Sequence, residues 1–238
     1  FIAQGVDAII IAPVVETGWD EVLQEAADNG IPVVIVDRNV TADPSLFITR
    51  VSSDFVHEGR LAAAWLVQAT AGKCKIVELQ GTVGSSAALD RQQGFNEVIA
   101  LFSDMEIVQS QSGDFTRTGG KEVMESFLKA MDPAEICAVW AHNDDMLIGA
   151  TQAIKEAGLD PADDILTISV DAIPDIFLAM AEGDANATVE LSPNMGGPAF
   201  DAIVAHLNGE ELPEWIPVAG GIYFPDTAEE EYAKRSGS

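Results

Sequence analysis

The chain has 238 residues, enough for one large domain or two lobes of about 100 residues each. Its 47% hydrophobic and 21% charged residues exclude a disordered chain, and its short apolar runs exclude a membrane span. A net charge of -27 repels phosphate backbones, which excludes nucleic acid as a partner and reads as a solubility device.

The predicted elements alternate in type along the chain. Residues 7–13 read as a strand and 18–30 as a helix with Trp19, Val22, Leu23 and Ala26 on one face. The run "PVVIVD" (32–37) is a strand, followed by a loop, a short strand over 46–51 and a helix over 54–72. The pattern then restarts with strands at 74–81, 106–113, 136–144, 165–171 and 185–191. Helices at 85–102, 117–131, 145–158, 173–183 and 194–209 separate and follow them, and 215–224 holds room for one more strand. Repeated strand–helix units with continuous apolar strands predict α/β architecture, with parallel sheets covered by helices on both faces.

Ligands of such sheets bind beyond the carboxyl ends of the strands. The polar residues there are Asp37 and Arg38, Gln80, Gly113 and Asp114, Asn143 and Asp144, and Asp171. A carboxylate accepts hydroxyl hydrogen bonds and a guanidinium donates up to five in a fixed fork, so Asp37 and Arg38 suit a polyhydroxylated ligand. The plainer reading of that pair is a surface turn with an incidental ion pair. Arg91 by default is an exposed helical arginine. Asn143 and Asp144 are both fit to cap the helix that follows, and Asp171 to cap the next one. Phe115 follows a strand end and is placed to stack on a ligand, whereas Trp140 lies inside a strand and reads as core.

His57, His142 and His206 match no metal spacing, and the stretch "GTVGSS" lacks both a phosphate-loop lysine and a third glycine. No nucleophile–base constellation is present, so no enzymatic activity, cofactor or metal is expected. Cys74 and Cys137 stand alone in sequence, and spacing does not decide between free thiols and a disulfide.

The stretches "VDRN", "VELQGTVGSSAALDRQQGF", "SQSGDFTRTGGKEVMESF", "AHNDDMLIGATQAIKEAG" and "ANATVELSPNMGGPAFDAI" resemble the type I periplasmic sugar-binding proteins of ABC importers. The galactofuranose-binding branch is the most similar, with the ribose-binding branch beside it. The resemblance implies two Rossmann-like lobes closing on a monosaccharide, a membrane permease as partner, a monomer, and a periplasmic location. It implies a first lobe of residues 1–72 and 192–214 and a second of 73–191 and 215–238.

By that resemblance Asp37 and Arg38 match the family's Asp-Arg pair, Arg91 its arginine ahead of Gly-Phe, and Asn143 its Asn of Asn-Asp. Asp171 matches the acid ending the next strand, and Phe115 an aromatic of the ribose branch. Ala12 and Leu191 stand where ribose binders carry Asn and Gln, which implies a ligand other than ribose. The branch carries cysteines at places matching Cys74 and Cys137, implying a disulfide between neighbouring strand starts. The family also has an upstream segment supplying the first lobe's central strand. The first lobe is therefore expected to be incomplete at its N-terminus, and the isolated chain to bind sugar weakly. The rival readings are the effector-binding core of a LacI-type regulator, which shares the fold, and a doubly wound enzyme.

Overall fold

The structure, a computed structural model, describes residues 1–237, so Ser238, the last residue of the expected second lobe, lies outside the described residues. Two compact units are formed. The first comprises residues 1–54, 84–87 and 192–219, and the second 55–83, 88–191 and the described residues from 220 onward.

In the first unit, β1 (Ile9–Ile11), β2 (Val33–Val36), β3 (Thr49–Ser52) and β9 (Trp215–Pro217) form a four-stranded sheet in the order β1-β2-β3-β9. Every pairing in it is parallel. Helix α1 (Asp20–Asp28) buries Leu23 and Ala26 against Val33 and Ile35 of β2. Helix α7 (Gly196–Leu207) lies on β2 and β3.

In the second unit, β4 (Lys73–Gln80), β5 (Asp104–Ser112), β6 (Ala138–Ala141), β7 (Leu166–Asp171), β8 (Ala187–Glu190) and β10 (Ile222–Tyr223) are ordered β10-β8-β7-β6-β4-β5. All neighbours run parallel except β10, which is an antiparallel edge. Helices α2 (Phe55–Thr70), α3 (Ser86–Ile99), α4 (Arg117–Ala130), α5 (Asp144–Glu156), α6 (Pro174–Glu182) and α8 (Ala228–Arg235) complete the set. One core cluster joins Leu79, Val139 and Leu147 to Phe127 and Phe177, and a second joins Leu66, Ile76, Phe95 and Trp140. Trp140 is sealed from solvent and stacks on Phe95 at 4.8 Å, which bears out its reading as core. The protein is thus α/β, with parallel sheets flanked by helices as the alternation of elements requires.

The two units depart from the expected lobes at three places. Helix α2 groups with the second unit, because its Ala62, Ala63 and Leu66 face packs beside Ile76 and Phe95. The stretch 215–219 belongs to the first unit, because β9 pairs with β3. The stretch 84–87 also groups with the first unit, where Gly84 O accepts from Glu16 N–H at 3.0 Å. The single strand allowed for in 215–224 is in fact two, one in each sheet.

The cysteines form a Cys74–Cys137 disulfide with Cα atoms 5.3 Å apart, joining the N-terminal ends of β4 and β6. No helix among the described residues is long and apolar enough to cross a membrane.

Candidate functional site

In the first unit the chain leaves β2 through Asp37, whose backbone is left-handed at φ 65°. Its N–H still bonds the Val51 carbonyl at 3.0 Å, so the turn begins without losing the sheet's hydrogen bonding. Arg38 Nε lies 3.8 Å from Asp37 Oδ2, and its Nη1 donates to the Val14 carbonyl at 2.9 Å. The guanidinium is therefore tethered to the loop after β1 while both side chains stay partly open, at 22% and 33% exposure. The adjacent Asn39 N–H donates to Ser86 Oγ at 2.8 Å.

In the second unit the central group is Arg91 on α3. It is buried rather than an exposed helical arginine. Its Nε donates to Glu58 Oε2 of α2 at 2.9 Å, and its Nη1 to the His142 carbonyl at 2.7 Å. Its Nη2 lies 3.6 Å from Asp171 Oδ1, and the Phe55 ring sits 5.1 Å from the guanidinium carbon. A charge removed from water needs such compensation on several sides.

Asn143 caps α5, with Oδ1 accepting from Met146 N–H at 3.0 Å, while its Nδ2 donates to the Phe115 carbonyl at 3.2 Å. The capping role read from sequence is real, and Asp144 does not share it. Asp144 is buried, accepting from Ser169 Oγ at 2.5 Å, Thr188 Oγ1 at 2.7 Å and Ile173 N–H at 2.9 Å. Burial pushes its carboxyl up to about 7, against these donors, which favour the carboxylate. Asp171 does not cap α6 either: Ile173 holds the cap position without a side-chain bond, and Pro174 opens the helix. The half-buried Phe115 ring lies flat over Gly81, where a Cβ would come within 1.9 Å of it.

Beneath these groups lies a buried polar network. Glu78 accepts from Gln92 Nε2 at 2.9 Å, from Gln80 Nε2 at 3.1 Å and from the Ser110 hydroxyl. His142 Nε2 lies 3.1 Å from Glu78 Oε1, and Gly81 N–H points to His142 Nδ1 at 3.4 Å. An Nδ1 that accepts and an Nε2 that donates make His142 a neutral ring. Burial lowers its pKa, which agrees. Burial acts against the charge on Glu78, but the bonds from His142, Ser110 and Gln80 outweigh it and hold the carboxyl at about 2. His142 thus has a structural role, bonding Glu78 and the Gly81 N–H beneath the strand ends.

Seven non-glycine residues among those described have positive φ, and Asp37, Asp114, Phe115, Asp171 and Ala172 are five of them. All five follow or end a strand at its carboxyl end. Left-handed backbone at non-glycine residues costs about 1–2 kcal/mol each and gathers where side chains must be aimed.

The structure places Phe115, Asn143 and Asp171 at or after the carboxyl ends of β5, β6 and β7 in the second unit, where Arg91 reaches the His142 carbonyl and Asp171 from α3, and it places Asp37 and Arg38 at a strand end of the first. Glu58 and Glu78 lie outside the residues singled out from sequence, and Asp144, named there as a strand-end residue and a cap, is instead a buried carboxylate. A charged residue within an apolar stripe is the signal available for the two glutamates. Glu58 precedes Ala62 and Leu66 at intervals of four, and Glu78 interrupts "KIVELQ".

Two parallel-sheet units carrying polar, partly strained strand ends define a ligand-binding protein. The chain matches the periplasmic binding protein domain family over residues 1–211 and belongs to that family. It is 56% identical to the galactofuranose-binding protein YtfQ of Escherichia coli, over 99% of this chain and 75% of that protein. Among solved structures it is similar to the binding component of an arabinose ABC transporter from Shewanella sp. ANA-3, bound to α- and β-L-arabinofuranose. That match has 61% identity and a TM-score of 0.97, covering 100% of this chain and 79% of the other. A Mycobacterium smegmatis protein in complex with β-D-fucofuranose is 43% identical, with a TM-score of 0.94 over 100% of this chain and 80% of its own.

Proposed function

We propose that this protein is the substrate-binding component of an ABC sugar importer, working in the periplasm and taking a galactofuranose-like monosaccharide. The observation that carries this reading is the identity with proteins whose names and ligands are furanoses. The strand-end chemistry supports it. Asp37 and Asp171 supply carboxylates for sugar hydroxyls, and Arg38 and Arg91 supply donors whose orientation is already set. Asn143 adds a side-chain amide held by its capping bond, and Phe115 adds an aromatic face for the apolar side of a sugar ring. Ala12 and Leu191, where ribose binders carry Asn and Gln, favour a sugar other than ribose. The Cys74–Cys137 disulfide suits an oxidising compartment.

The mode of action is reversible binding without turnover. Strand-end residues hold the sugar, and the loaded protein delivers it to a membrane permease. Calorimetry on the full-length protein tests this with D-galactose, L-arabinose and D-ribose at mutarotation equilibrium, where furanose forms are present. A heat of binding with galactose or arabinose and none with ribose is the expected result. A preference for ribose, or no binding of any of the three, would refute the reading.

A further inference from the structure

We propose that Glu58, which belongs to no set of expected ligand contacts, is the positioning residue for Arg91, setting the direction in which the guanidinium meets the sugar. The inference rests on the sugar-binding reading and names a residue that acts on its site from behind.

Three observations meet at this pair. Glu58 and Arg91 are both buried, at 3% and 2% exposure, so neither exchanges its partner for water at will. The contact is at Nε: Glu58 Oε2 takes the Nε–H at 2.9 Å, and the His142 carbonyl takes an Nη1–H at 2.7 Å. A guanidinium is planar, so two bonds at different nitrogens, with the Phe55 ring 5.1 Å from its carbon, determine the plane and the rotation of the whole fork. That rotation brings Nη2 to 3.6 Å from Asp171, the acid ending β7.

The backbones are held as closely as the side chains. A Cβ on Gly59, the residue after Glu58, would lie 2.2 Å from the Arg91 carbonyl oxygen. Glu58 and Arg91 are therefore carried on two helices in backbone contact, and a carboxylate one methylene shorter does not reach Nε without moving a helix. The other carboxylates of this unit's interior do not substitute for it. Glu78 is engaged by His142, Ser110, Gln80 and Gln92, Asp144 by Ser169, Thr188 and Ile173, and Glu231 by Lys234 and Arg235.

The test uses the full-length protein with Glu58→Ala, Glu58→Asp and Glu58→Gln. Galactose and arabinose affinities are measured by calorimetry, the Arg91 Nε–H resonance by nitrogen-edited NMR, and melting by circular dichroism. In the unsubstituted protein the Nε–H resonance is expected to be sharp and slow to exchange. Glu58→Ala loses that resonance and at least tenfold in affinity. Glu58→Asp, which keeps the charge and guards against a failure of Glu58→Ala to fold, shows the same loss. Glu58→Gln, whose amide oxygen still accepts from Nε, keeps the resonance and returns to within threefold of the parent affinity.

Affinity unchanged in a folded Glu58→Asp or Glu58→Ala variant overturns the inference and leaves the sugar-binding reading standing. So does an equal loss of affinity in Glu58→Gln with the resonance retained. Failure of the unsubstituted protein to bind either sugar overturns the functional reading and the inference with it.

Discussion

A Cβ on Gly94 would lie 2.0 Å from the carbonyl oxygen of Val56, and Gly59 makes the reciprocal approach to the carbonyl of Arg91. Helices α2 and α3 therefore cross backbone to backbone. Helices α4 and α5 cross in the same way, with Gly149 on the Arg117 carbonyl at 2.0 Å and Gly120 on the Met146 carbonyl at 2.2 Å. These crossings place Arg91 and Asn143 by main-chain contact, which side-chain repacking cannot absorb.

Gly94→Ala should accordingly cost about 1–3 kcal/mol of stability, as overpacking does. It should also weaken sugar binding, since Arg91 moves with α3. Gly197→Ala is the control: nothing lies within 4 Å of its Cβ position, and the residue is in the first turn of α7. A gain of about 0.5–1 kcal/mol and unchanged affinity are expected there. Urea unfolding and calorimetry on the two variants read both quantities.

The strained backbone separates stability from function. Ala162 and Ala172 both have left-handed φ, at 69° and 60°. Glycine at either position relieves the Cβ clash, offset in part by a freer unfolded chain, for a net gain of about 0.5–1 kcal/mol. Ala162 lies before β7, whereas Ala172 follows Asp171. Ala162→Gly should raise the melting temperature and leave sugar affinity alone. Ala172→Gly should raise the melting temperature yet lower affinity, because the carboxylate beside it is less firmly aimed. Equal affinities in the two variants would show that the strain at Ala172 has no bearing on the site.

The contrast shows what the sequence carried and what it withheld. Continuous apolar runs such as "PVVIVD" announced parallel strands, and strand ends such as Asp37, Asn143 and Asp171 followed from topology alone. Local pattern did not show which unit a helix joins. The α2 stripe fits any apolar surface, and only the three-dimensional packing on Ile76 and Phe95 assigns it. Arg91 looked exposed because its helix "SAALDRQQGFNEVI" has a mixed pattern; its burial depends on Glu58, 33 positions away. Positive φ at Phe115 and Ala172 leaves no trace in residue type, since neither is glycine, asparagine or aspartate. The Asp144 cage needs Ser169 and Thr188 from two further strands, a non-local arrangement that no motif announces.

The disulfide lies at the far end of the strands from the candidate site. Cys74 begins β4, and the site residues follow the carboxyl ends of the strands. Its separation of 63 residues closes a loop whose lost chain entropy corresponds to about 4 kcal/mol. Reduction, or Cys74→Ala with Cys137→Ala, should lower the urea midpoint by a corresponding amount. Sugar affinity measured well below the melting temperature should stay within twofold. A large loss of affinity in the folded, reduced protein would show that the bond also holds the site.

Arg38 offers the complementary case, a residue whose loss should be felt in binding alone. Its ion pair with Asp37 is long, at 3.8 Å, and partly exposed, and such pairs contribute about 0–1 kcal/mol. Arg38→Ala in the full-length protein is expected to reduce sugar affinity at least tenfold while the melting temperature shifts by no more than a few degrees. A large fall in melting temperature with affinity intact would return the pair to the status of a surface turn.

Asp144 makes the sharpest claim about pH. Its carboxyl is raised from the ordinary 3.8 to about 7 by burial, so between those values the native state holds a proton that the unfolded chain releases. Below about 4 both states are protonated and the group is neutral in its effect. From about 4 to about 7 the unfolded chain ionises while the native carboxyl stays protonated in the cage of Ser169, Thr188 and Ile173, so stability falls across that window and levels off above about 7. Glu78 acts on the other limb: held at about 2 against an ordinary 4.5, it stabilises above about 4.5 and fails as pH falls towards 2. Asp144→Asn cannot ionise, and it keeps a carbonyl for the Ser169 and Thr188 hydroxyls while setting an amide against the Ile173 N–H. That mismatch is a cost independent of pH. The difference in unfolding free energy between Asp144→Asn and the parent should therefore move in the variant's favour as pH is raised from 4 to 7.5, and be flat below 4. Urea titrations at half-unit intervals measure it, and a difference that stays constant across that range would place the Asp144 pKa near its ordinary value.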